Sequence, residues 1–302
     1  MKTIVLIDSG NTRLKVGVVG GTCDANLHAH ALDNDDIRGL KNWLGTLSGA
    51  PVAALGTNVA GPARAAAIEA ALGDIHCPVR WIVPQAHAYG LTSRYTQPGQ
   101  LGADRWVSML GVLARRDAVK NGSSDASHAS DPAAAGPGDA GHGMKGRPAA
   151  ASPVPPFLLA SFGTATTLDT VSGDNVFEGG LILPGPALMR DSLASGTANL
   201  PLAHGDAMAY PTDTRHAIAS GIAAAQAGAV LRQWLAGLRR YGDAPHLYVA
   251  GGGWPEVEAE TRRLLADAAT AMGRLPPIIS VIENPVLHGL ARIAATANLD
   301  QT

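Results

Sequence analysis

The chain has 302 residues, of which 46% are hydrophobic, 4% aromatic and 16% charged, and its formal net charge is −2 at pH 7. This near-neutral charge and the scarcity of aromatic residues exclude the basic, base-stacking surface of a nucleic-acid-binding protein. Two cysteines are too few for a disulfide framework or a four-cysteine zinc site, and no segment approaches the ~20 apolar residues of a membrane helix, so we expect a cytoplasmic protein.

Hydrophobic periodicity predicts alternating strands and helices along most of the chain. In the first part, strands are predicted at residues 3–7, 13–19, 52–55 and 79–83, and helices at residues 37–47, 63–72 and 104–116. In the second part, strands are predicted at residues 157–160, 176–183, 246–250 and 278–281, and helices at residues 187–193, 213–241, 256–269 and 284–297. Alternation of this kind predicts an α/β fold.

Residues 117–156 separate the two parts and differ from both in composition. They contain no aromatic residue, and their only large apolar residues are Val119, Met144 and Val154. Such a segment buries too little surface to offset the entropy lost on ordering. We therefore predict a disordered insertion at 117–156 between an N-terminal lobe at 1–116 and a C-terminal lobe at 157–302.

The two parts begin with similar stretches, "VLIDSGNTRLKVGVV" and "LLASFGTATTLDTV". Each runs from an apolar strand through a small residue and a glycine to hydroxyl or amide side chains and a second strand. This weak internal repeat predicts two related lobes that face one cleft.

The first of these turns has the composition of a phosphate-binding turn. Gly10 allows a close approach of backbone N–H groups to a ligand, and Asn11 and Thr12 add short donors. Lys15 supplies a point charge for a phosphate, and Asp8 at the strand end suits Mg²⁺, directly or through water. The alternative is an ordinary hairpin, since Asn and Gly are common in turns.

The segment "YTQPGQLGADRW" places an acid and a base side by side before a predicted helix. Asp104 is a candidate acceptor for the proton of a substrate hydroxyl, and Arg105 offers a planar fork for a substrate carboxylate. The alternative assigns Asp104 to a helix N-cap and Arg105 to a solvated first turn.

Glycines recur in two later segments. In "GGLILPGPALMRDSLASGTANLP", Gly179, Gly180 and Gly185 allow close backbone approach, and Thr197 could donate to a ligand; a tight turn between packed elements is the alternative. The glycines at 251–253 suit either a surface for adenine or a glycine-rich entry to a helix.

Together, these segments resemble the type III pantothenate kinase family, within the superfamily of acetate and sugar kinases, Hsp70 and actin. Residues 8–15 are similar to the first phosphate motif of the family, residues 102–105 to its pantothenate motif and residues 163–167 to its second phosphate motif. "GGLILPG" followed by Thr197 is similar to a later family segment.

The resemblance implies an α/β fold of two duplicated ribonuclease-H-like lobes. It also implies ATP-dependent phosphorylation of pantothenate to 4'-phosphopantothenate, the first step of coenzyme A biosynthesis, with Asp104 as the catalytic base. The implied ATP contacts are Asp8, Ser9, Gly10, Asn11, Thr12, Arg13, Leu14, Lys15 and Thr164. The implied pantothenate contacts are Tyr95, Gly102, Ala103, Asp104, Arg105 and Thr197.

The resemblance further implies Mg²⁺ with the ATP, a monovalent cation such as K⁺ or NH₄⁺, and a homodimer with the substrate site at its interface, where Thr197 comes from the partner. One position departs from the family pattern. Ser161 stands where the family usually has an aspartate that binds the monovalent cation. Because a hydroxyl is a weaker cation ligand than a carboxylate, we expect weaker activation by K⁺.

Two other functions fit parts of the sequence. An exopolyphosphatase-like phosphohydrolase shares an opening close to "DSGNT", but residues 102–105 have no evident role in it. A non-catalytic regulator of the same fold would not need Asp8, Lys15 and Asp104 intact.

Overall fold

The computed structural model describes residues 3–20, 27–125 and 154–296, with two sheets and the helices that cover them. The first sheet has the strand order β3-β2-β1-β4-β5, in which β2 is antiparallel to both β1 and β3 and the β1, β4 and β5 strands are parallel. Its strands are β1 (Ile4–Ser9), β2 (Arg13–Val19), β3 (His30–Asp33), β4 (Ala53–Asn58) and β5 (Val79–Trp81). Two helices, α1 (Ile37–Gly45) and α2 (Pro62–Gly73), connect these strands and pack on the outer face of the sheet.

The second sheet has the strand order β12-β11-β8-β9-β10-β7-β6. Its strands are β6 (His87–Ala88), β7 (Leu91–Ser93), β8 (Phe157–Phe162), β9 (Ala165–Val171), β10 (Val176–Pro184), β11 (His246–Ala250) and β12 (Ile279–Val281). The remaining helices are α3 (Ala103–Asp125), α4 (Pro186–Gly196), α5 (Thr214–Tyr241), α6 (Trp254–Ala271) and α7 (Pro285–Thr296).

The second sheet repeats the first. Counting β8, β9, β10, β11 and β12 as strands one to five, both sheets have the order three-two-one-four-five with the same strand directions. In the register, Asp8 faces Lys15 across the first hairpin, as Ser161 faces Thr167 across the second. The predicted α/β fold of two duplicated ribonuclease-H-like lobes is therefore confirmed.

Two helices pack between the sheets and build the largest core. Buried side chains of the first sheet, α3, the second sheet and α7 meet there, among them Leu6, Trp106, Phe157 and Leu287. The helices α3 and α7 lie so close that a Cβ atom at Gly289 would collide with the carbonyl of Val107 in α3. This interior holds the inner faces of the two sheets in fixed relation, which positions the site described below.

The outer faces are covered by the other helices. Val5, Ile7 and Leu14 pack against α1 and α2, and Leu158 and Phe162 pack in the core formed with α5 and α6. Alternate residues of β1 and β8 therefore point to the inner and outer faces, as the strand period requires. None of the helices in the described ranges combines the length and the apolar character of a membrane span.

The structure differs from the predicted boundaries at α3. The helix continues to Asp125, nine residues into the segment predicted to be a disordered insertion from residue 117. Its buried apolar residues end at Leu113, so the periodicity disappears while the backbone helix goes on. Residues 126–153 of the predicted insertion lie outside the described residues, and residues 154–156 at its end are described.

Candidate functional site

The two glycine turns meet at the end of the cleft between the sheets. In the β1–β2 turn the N–H of Gly10 donates to the carbonyl of Arg13 at 3.1 Å, and in the β8–β9 turn the N–H of Gly163 donates to the carbonyl of Ala165 at 3.1 Å. The hydroxyl oxygens of Thr12 and Thr164, which are exposed, lie 2.7 Å apart. Donors from both halves of the chain thus converge at one place.

A row of polar side chains crosses the inner face of the first sheet below this point. Asp8 on β1 pairs in register with Lys15 on β2 and with Thr57 on β4, and the Thr57 hydroxyl donates to Asp8 Oδ1 at 3.3 Å. Burial raises the pKa of Asp8 to about 6, the positive charge of Lys15 opposes this rise, and the negative charge of Asp104 adds to it. The acid and the lysine predicted from the sequence therefore lie side by side, with Asp104 near them.

Asp104 lies in the first turn of α3, at the inner face of the first sheet. Its Oδ1 accepts a hydrogen bond from the N–H of Arg105 at 2.8 Å. Burial raises the pKa of Asp104, against the lowering effect of that bond and of the Arg105 charge. A Cβ atom at Gly102 would lie 2.5 Å from Asp104 Oδ1, so a side chain at this position would displace the carboxylate from where it lies here.

Arg105, next to Asp104, is buried and holds a buried carboxylate. Its Nε and Nη2 donate to Asp169 Oδ1 at 3.2 and 2.5 Å, and its Nη1 donates to the hydroxyl of Tyr95 at 3.1 Å. The guanidinium also lies about 6 Å from the ring centres of Tyr95 and Phe177. One edge of the fork predicted for a substrate carboxylate is therefore occupied by Asp169.

Sequence reasoning did not single out Asp169. Its side chain is fully buried on β9, where burial raises the pKa of the carboxyl and the hydrogen bonds and charge of Arg105 lower it. The available indication was an aspartate within "TTLDTV", a stretch that otherwise has the composition of a buried strand. Opposite Asp169 lies Gly180, where a Cβ atom would collide with Asp169 Oδ1 and lie 2.8 Å from Arg105 Nη2.

The later glycine segments pack against the second turn. The N–H of Gly185 donates to the carbonyl of Thr164 at 2.9 Å, and a Cβ atom at Gly185 would collide with the carbonyl of Gly163. Gly251 has a φ of +94°, which favours glycine, and a Cβ atom there would collide with the carbonyl of Phe162. The close backbone approach predicted for Gly185 is present, and here it occurs between protein segments. The glycines at 251–253 lead directly into α6, which begins at Trp254.

Ser161 lies on the inner face of the second sheet, where it pairs in register with Thr167 and Ala250. It is the counterpart of Asp8 in the duplicated fold, so the cleft has a carboxylate on one side and a hydroxyl on the other. Within residues 3–20, 27–125 and 154–296, no group of three or more His, Cys, Asp or Glu side chains is arranged to hold a metal ion.

The other predicted residues are more scattered. Ser9 and Leu14 are buried on the outer face of the first sheet, whereas Asn11 and Arg13 are exposed at the turn. Thr197 lies exposed after α4, and its hydroxyl donates to the carbonyl of Leu193 at 2.8 Å. The structure thus brings Asp8, Thr12, Lys15, Asp104, Arg105, Tyr95 and Thr164 together and leaves Thr197 in a separate loop.

The family model and the curated relatives agree with each other. Residues 4–121 and 148–236 match the family model described as type III pantothenate kinase. The type III pantothenate kinase of Bordetella petrii is 54% identical over 97% of each chain, and that of Aromatoleum aromaticum is 35% identical over 96% of this chain and 97% of that one. Among solved structures, a glucokinase from an Antarctic psychrotroph covers 98% of this chain and 100% of its own, at 12% identity and a TM-score of 0.49.

Proposed function

The chain belongs to the type III pantothenate kinase family, and from this membership we infer that it transfers the terminal phosphate of ATP to the alcohol of pantothenate. The product is 4'-phosphopantothenate, which enters coenzyme A biosynthesis. One observation of the structure carries the inference: the two phosphate-type turns meet, through Thr12 and Thr164, at the end of the cleft that holds Lys15 and the carboxylates of Asp8 and Asp104.

The triphosphate of ATP would lie between the two turns. Residues 8–15 and Thr164 offer backbone N–H groups and short hydroxyl and amide donors, and Lys15 offers a positive charge on the inner face. The transition state of phosphoryl transfer is loose and keeps its negative charge on the phosphoryl oxygens, so donors and cations fixed around these oxygens supply most of the catalysis. A rigid hairpin positions such groups before the substrate arrives.

Asp104 would orient the alcohol of pantothenate and accept its proton. As the new bond forms between the alcohol oxygen and the terminal phosphorus, the bond from this phosphorus to the bridging oxygen of ATP breaks, and ADP leaves with its electron pair. Burial raises the pKa of Asp104, which makes its carboxylate a stronger proton acceptor than that of an exposed aspartate.

Mg²⁺ fits this site through Asp8. Among the described side chains, Thr57 donates a hydrogen bond to the Asp8 carboxylate, at 3.3 Å. Burial disfavours the charged form of this carboxylate, and a bound divalent cation would favour it. Since no group of three or more His, Cys, Asp or Glu side chains among the described residues is arranged to hold a metal ion, the phosphate oxygens of ATP would supply other ligands of the cation. The cation, when bound, neutralises negative charge on the phosphates.

A site for K⁺ or NH₄⁺ at Ser161 lacks the carboxylate of the family, so we propose weak activation by these ions.

Pantothenate would bind beside Asp104, in contact with residues 102–105 and Tyr95. Thr197 is not part of this group within one chain, which supports a homodimer in which Thr197 reaches the site of the partner. Exposed apolar side chains occur on β10, on α4 and in the segment that follows Thr197: Ile182, Leu188, Leu202, Met208 and Tyr210. A second copy would cover apolar residues that water does not favour.

The proposed organisation places the cleft between an N-terminal lobe, 1–116, and a C-terminal lobe, 157–302, in a cytoplasmic enzyme. The strands β6 and β7 precede residue 116, but β7 pairs with β10 and β6 pairs with β7, so both join the second sheet. The connection across the cleft therefore runs through residues 87–93 as well as through α3.

The experiment that tests this function is a coupled assay of phosphate transfer from ATP to pantothenate, run beside polyphosphate hydrolysis without pantothenate. We expect ADP release that depends on pantothenate and a phosphorylated product identified by mass. Hydrolysis of polyphosphate without transfer would instead establish the exopolyphosphatase-like alternative, and inactivity in both assays with ATP still bound would establish the regulator.

A further inference from the structure

The buried pair of Arg105 and Asp169 connects the α3 site to the second sheet. Both side chains are almost completely buried, with 6% and 1% of their areas exposed. Asp169 Oδ1 accepts from Nη2 at 2.5 Å and from Nε at 3.2 Å, and Oδ2 lies 3.3 Å from Nε. These contacts fix the plane and the rotation of the guanidinium.

The donors of the guanidinium can be counted. Arg105 has five N–H groups in a planar fork. Asp169 takes the Nε–H and one N–H of Nη2, and the Tyr95 hydroxyl takes one N–H of Nη1. Among the residues that the structure describes, no further acceptor takes the remaining N–H on each terminal nitrogen. Two such N–H groups are the donor set that a carboxylate binds with two oxygens.

We propose that Asp169 is a positioning residue for the phosphorylation of pantothenate: it holds Arg105 so that the free terminal N–H groups receive the substrate carboxylate beside Asp104. This inference rests on the proposed function. Without Asp169 the guanidinium would be a buried charge with no anion to hold it, free to turn toward Asp104. Gly180 is needed for this arrangement, because any side chain there would displace Asp169 and Arg105.

The charges on both sides of Arg105 give a second consequence. Among the described residues, the charged groups that interact with Asp104, Asp8 and Asp169 are Arg105, Lys15 and the three carboxylates themselves. Asp169 neutralises much of the Arg105 charge that Asp104 would otherwise experience. Removing the Asp169 charge therefore strengthens the stabilisation of ionised Asp104 by Arg105.

The test compares Asp169→Asn with Thr170→Val as a matched control. Thr170 is the next residue on β9, is also buried and points to the outer face, where its hydroxyl accepts from Gln233 at 3.1 Å. Both variants lose a buried hydrogen bond, so both are destabilised, but only Asp169→Asn changes the Arg105 fork.

For Asp169→Asn we expect the KM for pantothenate to rise about tenfold or more, the KM for ATP to stay near its wild-type value, and the acid limb of the kcat/KM profile to move to lower pH. In Thr170→Val, both KM values and the acid limb of the kcat/KM profile should stay at their wild-type values. If Asp169→Asn does not fold, Asp169→Ser, which leaves space for water, replaces it. Wild-type KM and an unmoved acid limb in the folded variant would overturn the proposal, whereas a wild-type enzyme that does not phosphorylate pantothenate would overturn the proposed function instead.

Discussion

The hydroxyl oxygens of Thr12 and Thr164 lie 2.7 Å apart, although 152 residues separate them in the chain. Each belongs to the turn of one duplicated hairpin, so this hydrogen bond closes the cleft at the point where the two lobes approach each other. Two oxygens at this distance leave no space for a phosphate between them. If the triphosphate binds between the two turns, as proposed, it replaces this bond, and both hydroxyls donate to phosphate oxygens.

This arrangement predicts that Thr12→Val and Thr164→Val each raise the KM for ATP by about tenfold, since a hydrogen bond to a charged group is worth roughly 1.5–3 kcal/mol. The KM for pantothenate should stay within about twofold, and the free energy of unfolding should change little, because both hydroxyls are exposed. Steady-state kinetics with each substrate varied would measure this. Thr46→Val, at the end of α1, removes an exposed hydroxyl elsewhere and should leave both KM values unchanged. An unchanged KM for ATP in both variants would contradict the assignment of the two turns to ATP.

Asp104→Asn should remove the proton acceptor and keep the shape of the site. We expect kcat to fall by about 10²–10⁴-fold, the usual range for a lost general base, while the Kd for ATP measured by calorimetry remains near wild type. Asp117→Asn is the matched control on the same helix: it breaks the ion pair with Arg292 at 2.6 Å, away from the cleft, and should retain kcat. Near-normal turnover of Asp104→Asn would show that another group accepts the proton.

Asp8 predicts a specific dependence of stability on pH. Its pKa is about 6 in the folded chain against 3.8 as the ordinary value, because burial disfavours the charged form. A raised pKa means that the folded state binds the proton more tightly, so this contribution is present below pH 4 and is lost as the pH rises through about 6. The loss amounts to roughly 2 kcal/mol between pH 4.5 and 7.5, since one pKa unit corresponds to about 1.4 kcal/mol.

Asp8→Asn should not show this loss. In urea unfolding followed by tryptophan fluorescence without Mg²⁺, the variant should gain roughly 2 kcal/mol relative to wild type on going from pH 4.5 to 7.5. Its kinase activity should nevertheless be strongly reduced. Asp35→Asn, at an exposed aspartate, should follow the wild-type pH dependence. Parallel curves for wild type and Asp8→Asn would show that the Asp8 carboxylate carries no such penalty.

The parts of the fold that sequence patterns predicted are those with strong local periodicity. The hairpins at Asp8 and Ser161 were evident because each glycine turn lies between apolar strands, and their similarity indicated the duplication. The strand β3 was missed because three of its four residues are exposed, so no alternation marks it. The strands β6 and β7 have two and three residues, too few for any period.

In the site, sequence patterns identified the groups that lie in local motifs and missed the one that acts across the sheets. Asp104 and Arg105 were conspicuous because two charged residues precede an apolar helix. The partner of Arg105, Asp169, lies 64 residues away on β9 of the second sheet, and no spacing rule links it to α3. Which N–H groups of the guanidinium Asp169 and Tyr95 occupy follows from the tertiary structure alone.

Ser161 predicts the response to monovalent cations. It occupies, in the second hairpin, the place of Asp8 in the first, and its hydroxyl is a weaker ligand for K⁺ than a carboxylate. We expect kinase activity within about twofold in sodium and potassium buffers of equal ionic strength, and Ser161→Asp should make the enzyme more active in potassium. Ser192→Asp adds the same charge to the exposed surface of α4 and should not confer this preference. Strong K⁺ dependence of the wild type would show that other groups form the cation site.

The position of Thr197 predicts complementation between subunits. If Thr197 completes the site of the partner, a dimer of one Asp104→Asn chain and one Thr197→Ala chain has one site with both defects and one site with both wild-type residues. Each variant alone should have low pantothenate kinase activity, and mixing them under conditions that exchange subunits should restore activity towards a quarter of the wild-type value, since half of the dimers are mixed and each has one intact site. The exchange itself is checked by native mass spectrometry of the two variants. A mixture with no more than the average activity of its two components, although mixed dimers form, would place Thr197 outside the partner's site.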